Sequence, residues 1–65
     1  MKRTALIRHL TANECYLLRE GRSHSVWFSS DGIETQAVPR HNEIKNQLAR
    51  HICRSLGNPD PPGRP

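Results

Sequence analysis

Two kinds of apolar spacing alternate along this chain, and together they predict five elements. From Thr4 to Asn13 the apolar residues Ala5, Leu6, Ile7 and Leu10 fall at helical spacing, with Thr4 placed as an N-cap. Asn13 is positioned to end that helix in a left-handed conformation, with Glu14 next. Cys15-Tyr16-Leu17-Leu18-Arg19 reads as a strand, Glu20-Gly21-Arg22-Ser23 as a turn, and His24 to Phe28 as a second strand. Ser29-Ser30-Asp31-Gly32 contains Asp-Gly, the strongest short hairpin signal, because glycine accepts the positive φ of a tight primed turn. A third strand follows from Ile33 to Val38, and Pro39, which cannot donate to a sheet, should stop it. From Asn42 onward Ile44, Leu48, Ile52 and Leu56 recur every four residues, with Ala49 and Cys53 widening the stripe into a core-facing side. Gly57 is the expected residue just past that helix, and Pro59 forbids continuation.

Helix, three antiparallel strands, helix is an α+β order. A three-stranded sheet with such apolar content is most simply covered by laying both helices across one face, which leaves the other face open to a ligand. Under regular alternation His24, Val26 and Phe28 share one face of the second strand, and Ser25 and Trp27 the other. Val26 and Phe28 are expected to form the core side, so His24 is expected at the rim. Residues 1–57 make the domain, and Asn58 to Pro65, rich in Pro and Gly without apolar anchors, reads as a disordered tail.

At 65 residues and 34% hydrophobic content the chain is a single small domain near the lower limit for a self-sufficient core. Cys15 and Cys53 lie far apart without a paired CxxC spacing, so both are expected to be reduced, buried and cytoplasmic. Arg8 and His9 interrupt the only apolar run near the N-terminus, which excludes an export or membrane segment there. Ten Lys and Arg against six Asp and Glu give a formal charge of +4. That balance favours a polyanionic partner, either nucleic acid or an acidic protein, although a merely solvated basic surface has the same charge.

Three local features then combine. They are Asn13-Glu14-Cys15-Tyr16 after the first helix, Gly21-Arg22-Ser23-His24 at a glycine turn, and Val38-Pro39-Arg40-His41-Asn42-Glu43-Ile44-Lys45 leading into the second helix. In this order and spacing the chain, from Met1 to Gly57, resembles the HicA toxins of bacterial type II toxin-antitoxin systems. The resemblance implies a double-stranded-RNA-binding-like αβββα fold and endoribonuclease activity on mRNA. It also implies that His24 is the catalytic histidine and that a HicB-type antitoxin binds and blocks the site. No cofactor is implied. Two positions depart from the family pattern: Arg22 stands where glycine commonly precedes Ser-His, with Gly21 one step earlier, and Glu14 stands where glycine is also common.

RNA carries its own nucleophile, the 2′-hydroxyl, so cleavage needs a base, an acid for the leaving 5′-oxygen, and cations for the charge on phosphorus; a metal is not obligatory. Histidine suits the acid-base task because an unperturbed imidazole titrates near neutral pH. The bland alternative is that His24 opens a strand and hydrogen-bonds a turn carbonyl. Arg22 and Ser23, beside His24, are candidate phosphate contacts, or else solvated turn residues. Arg40 and Lys45 are candidates because positive charge near a helix start opposes the helix dipole and calls for another reason. His41 is either a second proton-transfer group, a phosphate contact, or part of a helix cap. Tyr16 and Trp27 are candidates for base stacking, with core or antitoxin interface as the stronger alternative for Trp27. His51 and Cys53, two apart on a helix, point in different directions and make no zinc site, and His9 reads as a surface residue. Two further readings stay open: a non-catalytic RNA-binding module, and a degenerate toxin retained as an antitoxin-binding scaffold.

Overall fold

A computed structural model describes residues 1–61. The elements are α1 (Arg3–Ala12), β1 (Tyr16–Glu20), β2 (His24–Phe28), β3 (Thr35–Pro39) and α2 (Asn46–Ser55). The strands form one antiparallel sheet in the order β1-β2-β3. The buried cluster draws Leu6 and Leu10 from α1, Trp27 and Val38 from the sheet, and Ala49, Ile52 and Cys53 from α2, with Cys15, Ile44 and Leu56 completing it. Both helices therefore cover the same face of the sheet, as expected for the αβββα order. Among the described residues no helix is long and apolar enough to cross a membrane.

The covered face is not the one expected. Ser25 and Trp27 are buried at 0% and 8% exposure, while Val26 and Phe28 are only partly buried on the opposite side. The apolar pattern misleads because a small hydroxyl can be buried when its hydrogen bonds are met. Here Arg3 Nη2 donates to Ser25 Oγ at 2.8 Å, and Ser25 Oγ donates to Glu20 Oε1 at 2.6 Å.

Element boundaries shift for identifiable reasons. Thr4 does not cap α1; Lys2 is the N-cap, with no side-chain bond, because the Arg3 N–H donates to the Asn42 carbonyl at 2.8 Å. The Ile44 N–H likewise donates to the Met1 carbonyl at 2.8 Å, and Lys2 bridges Glu43. These bonds hold residues 42–45 extended, so α2 begins at Asn46 rather than near Asn42. Ile44 is still buried, but Leu48 is 39% exposed, since the stripe of four-residue spacing starts before the helix does. Pro39 is the last residue of β3 instead of the stop before it, tolerated because β3 is an edge strand. Asp31-Gly32 does not form a two-residue primed turn. Of the two only Gly32 has positive φ, and Ser29 pairs with Glu34, so β3 starts at Thr35 and leaves Ile33 73% exposed.

The two helices end in the same way. In α2 the Gly57 N–H donates to Arg54 and the Asn58 N–H to Cys53, with Gly57 at φ +73°. In α1 the Glu14 N–H donates to Thr11 and the Cys15 N–H to Leu10, with Glu14 at φ 67°. Asn13 is thus not the left-handed residue; Glu14 is, in a conformation that favours glycine. Cys15 consequently precedes β1, and both cysteines are free and buried. Of the tail expected to be disordered, residues 58–61 are described and are tied back. Asn58 Nδ2 donates to Cys15 Sγ at 3.2 Å, His9 Nε2 lies 3.0 Å from the Pro59 carbonyl, and Arg54 holds Asp60 through two 3.0 Å bonds. The remainder of that tail, 62–65, lies outside the described residues.

Candidate active site

β2 begins at His24 because a two-residue tip, Arg22 and Ser23, closes the β1–β2 hairpin. The Gly21 N–H donates to the His24 carbonyl at 2.7 Å. A Cβ on Gly21 would stand 2.8 Å from that same carbonyl oxygen, closer than side chains come to backbone, so glycine is needed at 21 for close approach. The turn thereby fixes the backbone of His24. Its side chain is exposed, at the corner of the open face, on the same side of β2 as Val26 and Phe28.

Register places the rest of that face. Tyr16 lies opposite Phe28, Arg19 opposite Val26, and β3 contributes Thr35, Ala37 and Pro39, the last opposite His24. Tyr16 is 48% exposed, and its ring sits 5.1 Å from that of Phe28 at 41°. Gly32 lies against Tyr16, where a Cβ would stand 2.9 Å from the hydroxyl. Tyr16 is therefore the aromatic available on the open face. Trp27 is on the covered side in the core, and its Nε1 has no partner among the described residues. A β-bulge between Leu17 and Arg19 sets this register.

Arg22, Ser23 and Arg40 gather at the His24 corner. The Arg40 N–H donates to the Ser23 carbonyl at 3.2 Å, and the Arg40 guanidinium pairs with Glu20. His41 follows Arg40 as an exposed residue in the extended segment, outside the first turn of α2. Lys45 is the exposed N-cap of α2, and neither helix carries an acidic residue in its first turn. Sequence reasoning missed Lys2, Arg3 and Asn42, which with Thr4 and Arg40 line a cleft of ≈350 Å³. The signal was present: Lys2 and Arg3 open a helix against its dipole, as Lys45 does. It also missed Glu20 and Ser25, whose partners are far away in sequence. Among the described residues, no three His, Cys, Asp or Glu side chains cluster to hold a metal ion.

The model of a protein family described as the HicA toxin of bacterial toxin-antitoxin matches residues 4–57. The chain belongs to that family. No curated protein and no solved structure matches it at a significant level. The HicA match runs through all five elements, from the first turn of α1 to the glycine that ends α2. As a HicA toxin, the protein is one half of a toxin-antitoxin pair, and its αβββα fold agrees with that membership.

Proposed function

We propose that this toxin is a metal-independent endoribonuclease that cuts mRNA, with His24 as an acid-base catalyst, and that a HicB-type antitoxin neutralises it. The observation that carries the reading is the placement of His24. It is exposed at the corner of the uncovered sheet face, on a backbone fixed by Gly21, with Ser23 and Arg40 bonded alongside. A phosphodiester laid over this corner meets the imidazole without rearrangement of the core.

In the step proposed, the 2′-oxygen attacks the adjacent phosphorus as its proton leaves to a base, and the P–O bond to the 5′-oxygen breaks as that oxygen gains a proton. The products are a 2′,3′-cyclic phosphate and a 5′-hydroxyl end, and no outside reactant is consumed. His24 performs one of the two proton transfers. Arg22, Ser23, Arg40, His41 and Lys45 are proposed phosphate contacts, of which Arg22, Ser23 and Arg40 border His24. Tyr16, stacked on Phe28 and half-exposed, is the proposed platform for a splayed base.

The test uses the full chain, single-stranded RNA and EDTA. Wild type is expected to cut the RNA, leaving 5′-hydroxyl ends. His24→Ala is expected to lose cleavage by about 10²-fold or more while still binding RNA. A wild-type protein that binds RNA and never cuts it would sink the nuclease reading in favour of a non-catalytic RNA-binding module. Induction in cells separates the remaining alternative: growth arrest relieved by His24→Ala excludes a degenerate scaffold.

A further inference from the structure

The cleft between the start of α1 and the segment after β3 shares only Arg40 with the phosphate contacts proposed above. Its lining is Lys2, Arg3, Thr4, Arg40 and Asn42. Three cations there meet two carboxylates: Arg40 pairs with Glu20, and Lys2 lies 3.8 Å from Glu43, with both of the latter side chains well exposed. Arg3 makes no direct ion pair among the described residues. Its guanidinium bonds only neutral oxygens among the described residues, Nε to the Pro39 carbonyl at 2.9 Å and Nη2 to Ser25 Oγ at 2.8 Å. Those bonds use two of its N–H donors and hold the group in place, and the others stay free. Thr4 and Asn42, both exposed, line the same cleft.

A guanidinium held by two bonds, an exposed lysine, a threonine and an asparagine thus border one space. That set suits a tetrahedral oxyanion better than a planar carboxylate, which takes a single fork of two parallel bonds. The cleft also adjoins the catalytic corner, because Arg40 lines it while its own N–H holds the Ser23 carbonyl, next to His24.

We propose that this cleft binds a backbone phosphodiester of the RNA neighbouring the one that is cut, so that the strand crosses from the open face over the His24 corner onto the start of α1. The proposal rests on the RNA-cleaving reading given above. Lys2 and Arg3 then act as positioning residues, setting which phosphate reaches His24.

The experiment titrates full-length protein with a 2′-O-methyl single-stranded oligonucleotide, which lacks the nucleophile, and measures affinity at several salt concentrations. Lys2→Gln is compared with Arg8→Gln, the same loss of one charge on an exposed part of α1 away from the cleft. Lys2→Gln is expected to bind several-fold more weakly, with a log–log salt slope shallower by about 0.7, the value for one lost phosphate contact on a single strand. Arg8→Gln is expected to stay near wild type. Thr4→Glu puts a carboxylate into the cleft where the α1 dipole welcomes one, so its melting temperature should hold or rise while RNA binding falls further. Equal losses in Lys2→Gln and Arg8→Gln, or unchanged binding in Thr4→Glu, would overturn the proposal. Inorganic phosphate alone forms a second arm: if it shifts the amide resonances of Thr4 and Asn42 and the oligonucleotide does not, the cleft takes a free anion and the proposal fails. Cleavage of unmodified RNA is scored separately. A protein that cuts RNA normally as Thr4→Glu loses the cleft and keeps the nuclease; one that binds through the cleft and never cuts loses the nuclease and keeps the cleft.

Discussion

Ser25 and Trp27 on one side of β2, and His24, Val26 and Phe28 on the other, share five residues of backbone and have opposite surroundings. The covered side meets both helices and buries a hydroxyl between a guanidinium and a carboxylate. The uncovered side keeps a valine and a phenylalanine half in water, next to an exposed histidine. Apolar character alone therefore does not decide which side of a small sheet is the core. What decides is where hydrogen-bond partners are supplied, and α1 supplies one through Arg3. Stability and chemistry are segregated to the two sides, so each can be altered with little effect on the other.

The largest effect should come from setting Trp27→Ala against Val26→Thr. Removing the buried indole is expected to cost about 3–5 kcal/mol, enough to unfold much of so small a domain. Val26→Thr, one residue away, is expected to change stability by about 0.5 kcal/mol, as a surface replacement does. Chemical denaturation followed by circular dichroism reads both, and similar losses would break the distinction between the sides. Ser25→Ala comes next. It leaves Arg3 and Glu20 each one partner short and should cost about 1–3 kcal/mol in the same assay, despite adding no cavity larger than an oxygen.

Glu14→Gly should act with the opposite sign. Relieving a left-handed non-glycine residue is worth about 1 kcal/mol, or roughly 4–8 °C in melting temperature, with RNA cleavage unchanged because Glu14 precedes β1 at the end of the sheet away from His24. Gly57→Ala, at the matching position of α2, should lose about as much although a Cβ there meets nothing within 4 Å, which isolates the conformational term. The last effect is silent at neutral pH. Burial, with Asp60 and Cys15 nearby, pushes the Cys53 thiol up from the ordinary 9.0 to about 11. The unfolded chain thus releases that proton first, so the contribution is intact below pH 9 and lost as pH rises through the folded value. Denaturant midpoints across that range should fall, and Cys53→Ala should flatten the decline.

Much of the fold was legible because its signals are local. The span of β2, the glycine that ends α2 and the free buried cysteines follow from short patterns of residue type. The larger errors, in the start of α2 and the faces of β2, share one cause, contacts between residues distant in sequence. Thr4 failed as a cap and α2 started late because Met1 to Arg3 bond to residues 42–44, and no window along the chain contains both. The faces of β2 were inverted for the same reason, since Ser25 is satisfied by Arg3. At the candidate site, the His24 turn is contiguous and readable, whereas the cleft joins the start of α1 to the segment after β3.

The bulge at Leu18 decides more than the shape of an edge strand. It lets Tyr16 oppose Phe28 and Glu20 oppose Ser25 in one ladder, with a residue to spare. Counted without it from Tyr16, Glu20 would fall opposite His24 and set a carboxylate beside the imidazole, where an incoming phosphate would be repelled. Counted without it from the hairpin, Tyr16 would turn under the helices. Leu18 is thus the surplus residue that the bulge absorbs: deleting it leaves every one of these pairs opposite each other, and should be tolerated better than inserting a second residue beside it.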